Sequence, residues 1–366
     1  MDTEKVSVKK SGKREMLPDI LRGFSIILVV LGHCIQEGSG ELYRVGFSYF
    51  SDRLYQFIYS FHMPLFMLIS GYLGWYSMKR CQNQKARLEV LRTRAATLLV
   101  PIFFWTALDY ARILIINCVE KNPQPEALVF VYFYNALNNL WFLWAVWWSF
   151  LVVYVMHNFL RDNIIIYVLG FMALFILPDG LGMGAYKYML PYYLTGYYVH
   201  GYMENKGKPA KKSPRLWMIG IIGLAFAGLF IYYNEDSFIY LTGYKLVGKK
   251  VARQLGIDIY RLVIGFAGSV FFILVWQYIL MCADKLNQQR NGRIQFGVLR
   301  KLGADSMGIY IVSGYLLIFV IQRFDFIQQP SYIFNIFETI IVLAMSWLIV
   351  GIIGKIPVLK KVIGKK

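Results

Sequence analysis

Ten stretches of mostly apolar residues, about 15–25 residues long, follow one another between Leu17 and Ile353, and no other feature restricts the fold so strongly. A bilayer core of roughly 30 Å is crossed by about 20 such residues in a helix. Inside it, every backbone N–H and C=O must find a partner within the protein. The stretches are Leu17–Ile35, Leu54–Met78, Ala96–Asn117, Leu140–Met156, Asn163–Leu177, Tyr186–Met203, Leu216–Tyr233, Ile259–Cys282, Leu302–Ile321 and Tyr332–Ile353. With 57% hydrophobic and 16% charged residues, the chain is too apolar for a soluble domain. The expectation is an all-α, polytopic integral membrane protein of about ten transmembrane helices. The fifth and sixth stretches are the weakest, because Pro178 and the glycine-rich turn Asp179–Gly184 separate them, and partial re-entry is the alternative for this pair.

Direction follows from the basic residues. If the N-terminus is cytoplasmic, the inner segments hold 27 of the 39 Lys and Arg and the outer loops hold 8. The excess of cations marks the inner side and places both termini in the cytoplasm. The expected layout is a basic tail over 1–16, a transmembrane domain over 17–353 and a second basic tail over 354–366. The net charge of +18 therefore meets anionic headgroups of the inner leaflet, and nucleic acid is excluded as a partner. Cys34, Cys81, Cys118 and Cys282 show no C-x-x-C spacing, so neither a zinc site nor a disulfide framework is expected. The first apolar run lacks a small-residue cleavage pattern and reads as a retained helix. No internal repeat of the kind that builds transporters is visible.

Ionisable side chains inside a spanning helix cost about 2.5–3.5 kcal/mol each on insertion scales, so they face a cavity or a partner. The first helix contains Pro18-Asp19-Ile20-Leu21-Arg22-Gly23 and then Gly32-His33-Cys34. Arg22 and His33 are 11 residues apart, which at 100° per residue leaves them only about 20° off one face and about 16 Å apart along the axis. A polar stripe through the bilayer is the reading this favours. For Arg22 alone, snorkelling to headgroups or pairing with Asp19 is equally consistent. His62 precedes Pro64, which opens the backbone ladder of the second helix. Asp109 and Arg112 stand at i, i+3 and read as a structural pair. A basic run, Lys79 to Arg94, leads to Pro101, and arginine is the side chain best shaped to grip phosphate.

In order along the chain, Asp19-x-x-Arg22-Gly23 with Arg22-x10-His33, then Phe61-His62-Met63-Pro64-Leu65-Phe66 through Ser70-Gly71-Tyr72-Leu73, resemble the first- and second-helix signatures of the membrane acyltransferase family 3. The branch they are most similar to is that of the fucose 4-O-acetylases. Weaker matches are Leu140-Trp141-Phe142-Leu143, Leu190-Pro191-Tyr192 with Gly196, and Leu302-Gly303 with Ser306 and Ile309-Tyr310. Two departures are visible. Arg94 is followed by Thr97 where relatives often carry Arg-x-x-Arg, which shifts donor contacts toward Arg92. Ser313 stands where a histidine is frequent, and it is given no catalytic role. No hydrolase-like domain follows the last helix, so transfer is expected to finish in the membrane part.

The resemblance implies a multi-pass enzyme of a bacterial plasma membrane, an O-acetyltransferase using cytoplasmic acetyl-CoA, without a metal, on a sugar hydroxyl of a lipid-linked or polymeric surface glycan. On that reading Arg22, Arg92 and Arg94 bind the donor phosphates, with the N-terminus of the first helix adding its dipole. His33 acts as general base or transient acyl carrier, assisted by Arg22 and His62, while Asp19, Ser70 and Trp141 meet the acceptor. Membrane lipids complete the partners, and a homo-oligomer is left open. The rival readings are a secondary transporter or flippase of lipid-linked sugar, which also wants intramembrane charge, and a non-catalytic sensor on the same fold.

Overall fold

The computed structural model describes residues 15–38, 49–119, 125–160, 162–174, 179–206, 214–244, 251–290, 294–320 and 331–365; most of the N-terminal basic tail lies outside them. Eleven helices of more than ten residues carry the described chain: α1 Met16–His33, α2 Arg53–Met78, α3 Gln84–Val119, α4 Pro125–Asn138, α5 Trp141–Phe159, α6 Ile164–Leu174, α7 Met183–Asn205, α8 Leu216–Ile231, α9 Val251–Arg290, α10 Gly297–Phe319 and α11 Tyr332–Lys355. Seven are long and apolar enough to cross a membrane, namely α1, α2, α3, α5, α9, α10 and α11. At 1.5 Å per residue, α3 and α9 span about 54 and 60 Å, so their polar ends project beyond a core of about 30 Å. The sixteen-residue α8 is apolar but shorter. The fifth expected stretch is an eleven-residue α6, its last residues lying outside the described part. The segment 118–139, expected as a loop, contains α4.

Two glycine-mediated crossings organise the bundle. A Cβ on Gly23 would lie 2.0 Å from the carbonyl oxygen of Leu299, and one on Gly303 would lie 1.8 Å from that of Asp19, so α1 and α10 touch backbone to backbone. Between α2 and α7 the same holds. A Cβ on Gly71 would fall 1.9 Å from Tyr193 O and one on Gly196 would fall 2.0 Å from Leu68 O. Small residues allow this approach, and in lipid the gain is packing and dispersion, since the tails are as apolar as the core. Pro64 does not interrupt α2, which runs on to Met78. Its Asp52 cap accepts from Tyr55 N at 2.7 Å, satisfying one of the orphan donors of the first turn.

The first and last described residues, Glu15 and Lys365, lie at one end of the bundle, called here the terminal end. Glu15, just before α1, accepts from Tyr76 at the close of α2, and Val362 accepts from Trp105 Nε1 at 2.8 Å. At the opposite, far end the segment between α8 and α9 is pinned by buried charge. Arg261 is 1% exposed; it donates to Gly243 O at 2.8 Å and to the Thr242 hydroxyl, and it pairs with Asp258 at 3.3 Å. Asp179 bridges Lys187 Nζ, at 3.0 Å, and Tyr244 N, at 2.6 Å. Lys187 and Arg261 thus both help to close the far end. Asp109 and Arg112 pair at 2.9 Å with Arg112 over the Phe319 ring, as the i, i+3 spacing predicts.

The crossing at Gly303 has a measurable consequence. Gly303→Val is expected to destabilise by more than the ~1–3 kcal/mol of ordinary overpacking, because backbone rather than a side chain must retreat, and to lower the thermal unfolding midpoint in detergent. Gly220→Ala, where a Cβ meets nothing within 4 Å, is expected to hold or raise the midpoint, since alanine is the better helix former by roughly 1 kcal/mol.

Candidate functional site

The crossing of α1 and α10 brings Arg22 against Ser306, whose hydroxyl accepts from Nη2 at 2.9 Å. Across from it, Arg94 of α3 donates to the Ser77 hydroxyl through Nη2 at 2.7 Å and Nε at 3.2 Å, and its guanidinium lies 5.7 Å from the Phe150 ring. Both guanidinium groups line one cavity of about 290 Å³. Its charged lining is Arg22, Arg94, Lys365 and Asp305, three cations against one carboxylate. Toward the middle of the bundle the walls become apolar and aromatic, with Val29, Met63, Phe142 and Tyr310. Ser70 lies between these two regions.

The histidines sit beyond the inner end of this cavity. The His33 ring centroid is 6.1 Å from that of Tyr310, which itself lines the cavity. His33 Nδ1 is buried and has no hydrogen-bond partner among the described residues. Leaving a buried polar nitrogen unmet costs about 1–3 kcal/mol, and such an exception calls for an explanation in function. His62 differs. Its Nδ1–H donates to Ile58 O at 2.7 Å, one turn back, rather than to the Ser60 carbonyl that Pro64 leaves without its helical donor. That bond fixes the tautomer and leaves Nε2 with its lone pair. The two imidazoles are near enough that charge on one is felt by the other. Tyr59 packs between α1 and α2: its ring is 4.7 Å from His62 and lies 3.0 Å from where a Cβ on Gly32 would stand. Gly32 therefore makes the space that lets Tyr59 sit beside His62 and against α1.

Of the residues expected at the site, Arg22, Arg94 and Ser70 are in the cavity wall, with His33 and His62 above it. Arg92 is exposed and outside the lining, so the expected shift of donor contacts from Arg94 toward Arg92 has no counterpart in the cavity. Asp19 is buried at the α1–α10 crossing. Trp141 opens α5 at the far end, 5.8 Å from Tyr240. Tyr240 is 47% exposed and belongs to the segment that Arg261 pins. The Ser313 hydroxyl donates back to Tyr310 O at 3.2 Å.

Three residues near the site were not assigned from sequence. Lys365 belongs to the expected basic tail, and Asp305 lies in the first turns of the stretch Leu302–Ile321. Glu338, on α11, is 3% exposed, lies beside Cys34, and its Oε1 has no partner among the described residues. A carboxylate inside an apolar run was the available signal for Glu338. No group of His, Cys, Asp and Glu among the described residues has the arrangement to hold a metal ion.

Comparison with known proteins gives one consistent answer. Residues 18–355 match the family model Acyl_transf_3, described as an acyltransferase domain. The chain is 27% identical over 306 residues to nodulation protein NolL of Sinorhizobium fredii, covering 83% of this chain and 78% of that protein. It is 26% identical over 308 residues to nodulation protein NolL of Mesorhizobium japonicum, covering 83% and 77%. No solved structure matches.

The cavity is polar enough to hold water, and its wettability can be read by thiol chemistry. Ser70→Cys, placed in a chain whose exposed Cys118 and half-buried Cys282 are changed to serine, is expected to react with a water-soluble methanethiosulfonate at least ~10-fold faster than buried Cys34 and Cys81, because the thiolate forms only where water reaches it. Equal, slow labelling at all three positions would contradict a water-filled cavity.

Proposed function

This chain belongs to the membrane acyltransferase family 3, and from that premise we propose that it is an O-acetyltransferase carrying an acetyl group from cytoplasmic acetyl-CoA to a sugar hydroxyl of a membrane-associated glycan. The observation that carries the reading is one cavity with cations at its terminal end and, beyond its inner end, the His33 imidazole, whose buried Nδ1 has no hydrogen-bond partner among the described residues. Phosphates of the donor would meet Arg22 and Arg94, whose forked guanidinium groups suit bidentate contact. The arm of the donor would follow the lining past Ser70 toward Tyr310 and bring its thioester to His33.

In this reading His33 takes the proton of the acceptor hydroxyl as its oxygen attacks the thioester carbonyl. The C–S bond breaks, the acetyl ester forms, and the proton passes from His33 to the leaving thiolate, so that CoA departs as the thiol. His62, with Nδ1–H held by Ile58 and Nε2 open, positions the acceptor or the neighbouring imidazole. On the far side, Trp141 and the half-exposed Tyr240 offer aromatic faces to a sugar ring. The distribution of 27 basic residues on one side and 8 on the other supports a cytoplasmic terminal end, which is where a cytosolic donor would enter. A bacterial plasma membrane is the location this implies.

The test follows radiolabel from acetyl-CoA into membrane glycan in cells lacking the native protein. Wild type is expected to label glycan. His33→Ala at equal expression is expected to lower the rate by about 10²–10⁴, the usual contribution of a general base. Arg22→Ala is expected to raise the donor concentration needed for half-saturation by roughly tenfold, the loss of one charge-assisted phosphate contact. Labelling unchanged in His33→Ala would remove that residue from the chemistry. Absence of label with wild type, together with passage of a labelled lipid-linked sugar across the membrane, would replace the enzyme with a transporter.

A further inference from the structure

After α11 the chain turns back under the bundle through a short turn, Leu359–Ile363, in which Val362 and Ile363 are buried. The turn is fastened at three points. Trp105 Nε1 donates to Val362 O at 2.8 Å. Ile363 packs near Gly308, where an added Cβ would come within 3.3 Å of it. Gly364 has φ +69, and a Cβ there would lie 1.6 Å from Met307 Cε and 3.0 Å from Thr97 O, so only glycine fits both the backbone and the space. The result is that Ile363, Gly364 and Lys365 form part of the cavity wall that also contains Arg22, Arg94 and Ser306.

Lys365 Nζ lies 2.7 Å from Asp305 Oδ1, and Asp305 Oδ2 accepts from Trp347 Nε1 at 3.0 Å. Asp305 is the neighbour in sequence of Ser306, which holds Arg22. Two cations thus reach the cavity through adjacent residues of α10, and a third, Arg94, faces them. The Lys365–Asp305 pair is partly exposed, at 35% and 19% of the two side chains, in a space open to water. Pairs of that kind are weak, and a lysine is a mobile point charge that changes partners without a fixed geometry.

We infer that the C-terminal turn is a wall of the donor site and that Lys365 is a third phosphate-binding cation, leaving Asp305 for a donor phosphate when the site fills. This rests on the donor reading of the cavity given above. Asp305, held by Trp347, is then the counter-ion that keeps Lys365 in place until the donor binds, and donor binding clamps the turn that Gly364 and Trp105 fasten.

The test measures binding of radiolabelled CoA to the full-length protein in lipid nanodiscs, without any acyl transfer. Lys365→Ala is expected to weaken CoA binding about 5–20-fold and Lys365→Arg to stay within about threefold of wild type, because the charge and not the shape is required. Asp305→Asn removes the competing carboxylate and is expected to bind CoA at least as tightly as wild type. A purely structural ion pair predicts the opposite, with Asp305→Asn and Lys365→Ala weakened alike. That result, or CoA binding unchanged in Lys365→Ala, overturns the inference and leaves the donor reading standing. If wild-type protein binds no CoA, the donor reading itself fails, and the role of Lys365 falls with it.

Discussion

The contact between the backbones of α1 and α10 is the constraint on which the rest of the site depends. In lipid, no hydrophobic gain drives one helix against another, so contact distance decides how much packing holds them together. Gly23 and Gly303 remove the Cβ atoms that would keep the helices apart. Only at that separation can the Arg22 guanidinium reach the Ser306 hydroxyl at 2.9 Å, and only then do Asp305 and Tyr310 of the same helix face the stripe of α1 that carries Arg22 and His33. The crossing of α2 with α7 through Gly71 and Gly196 does the same for the other wall, placing Ser70 and Tyr193 in the lining.

Charge is arranged differently at the two ends. At the far end, Arg261, Asp258, Lys187 and Asp179 are consumed in pairs and backbone bonds that fix the segment before α9. At the terminal end, the hydroxyls of Ser306 and Ser77 receive Arg22 and Arg94. The cavity lining carries three cations, Arg22, Arg94 and Lys365, against the one carboxylate of Asp305. The cavity therefore keeps a surplus of positive charge in a partly enclosed space, where an anionic ligand is attracted more strongly than at an open surface. Burial of Lys187, Asp258 and Arg261 at the far end is compatible with a membrane protein because each has a partner there; removing one partner would leave its mate buried and uncompensated.

Much of this was legible in the sequence. The periodicity of eleven between Arg22 and His33 put both on one face, and the structure has one at the cavity wall and the other just beyond its inner end. The i, i+3 pair of Asp109 and Arg112 was equally readable, because both partners lie on one helix. The helix inventory was readable only in part. Apolar length found the long spanning helices, but α4 hid behind a polar start at Pro125, and α8 is shorter than hydropathy alone implied. The choice between Arg92 and Arg94 was not readable, since two residues apart on a helix face nearly opposite directions and only the position of α3 against α2 and α5 selects Arg94.

What the sequence determined by itself is everything that one helix can express: which stretches are apolar enough to span, which side carries the cations, and which polar groups share a stripe. Tertiary structure decided which stripes meet. Lys365 lies 332 residues after His33, and nothing local distinguishes it from the other lysines of a basic tail. It joins the cavity because Gly364 turns the chain, Trp105 holds the turn, and Asp305 waits on a helix packed against α1. Each of those contacts joins residues distant in the chain, and the distance constraints that create them exist only once the helices are packed.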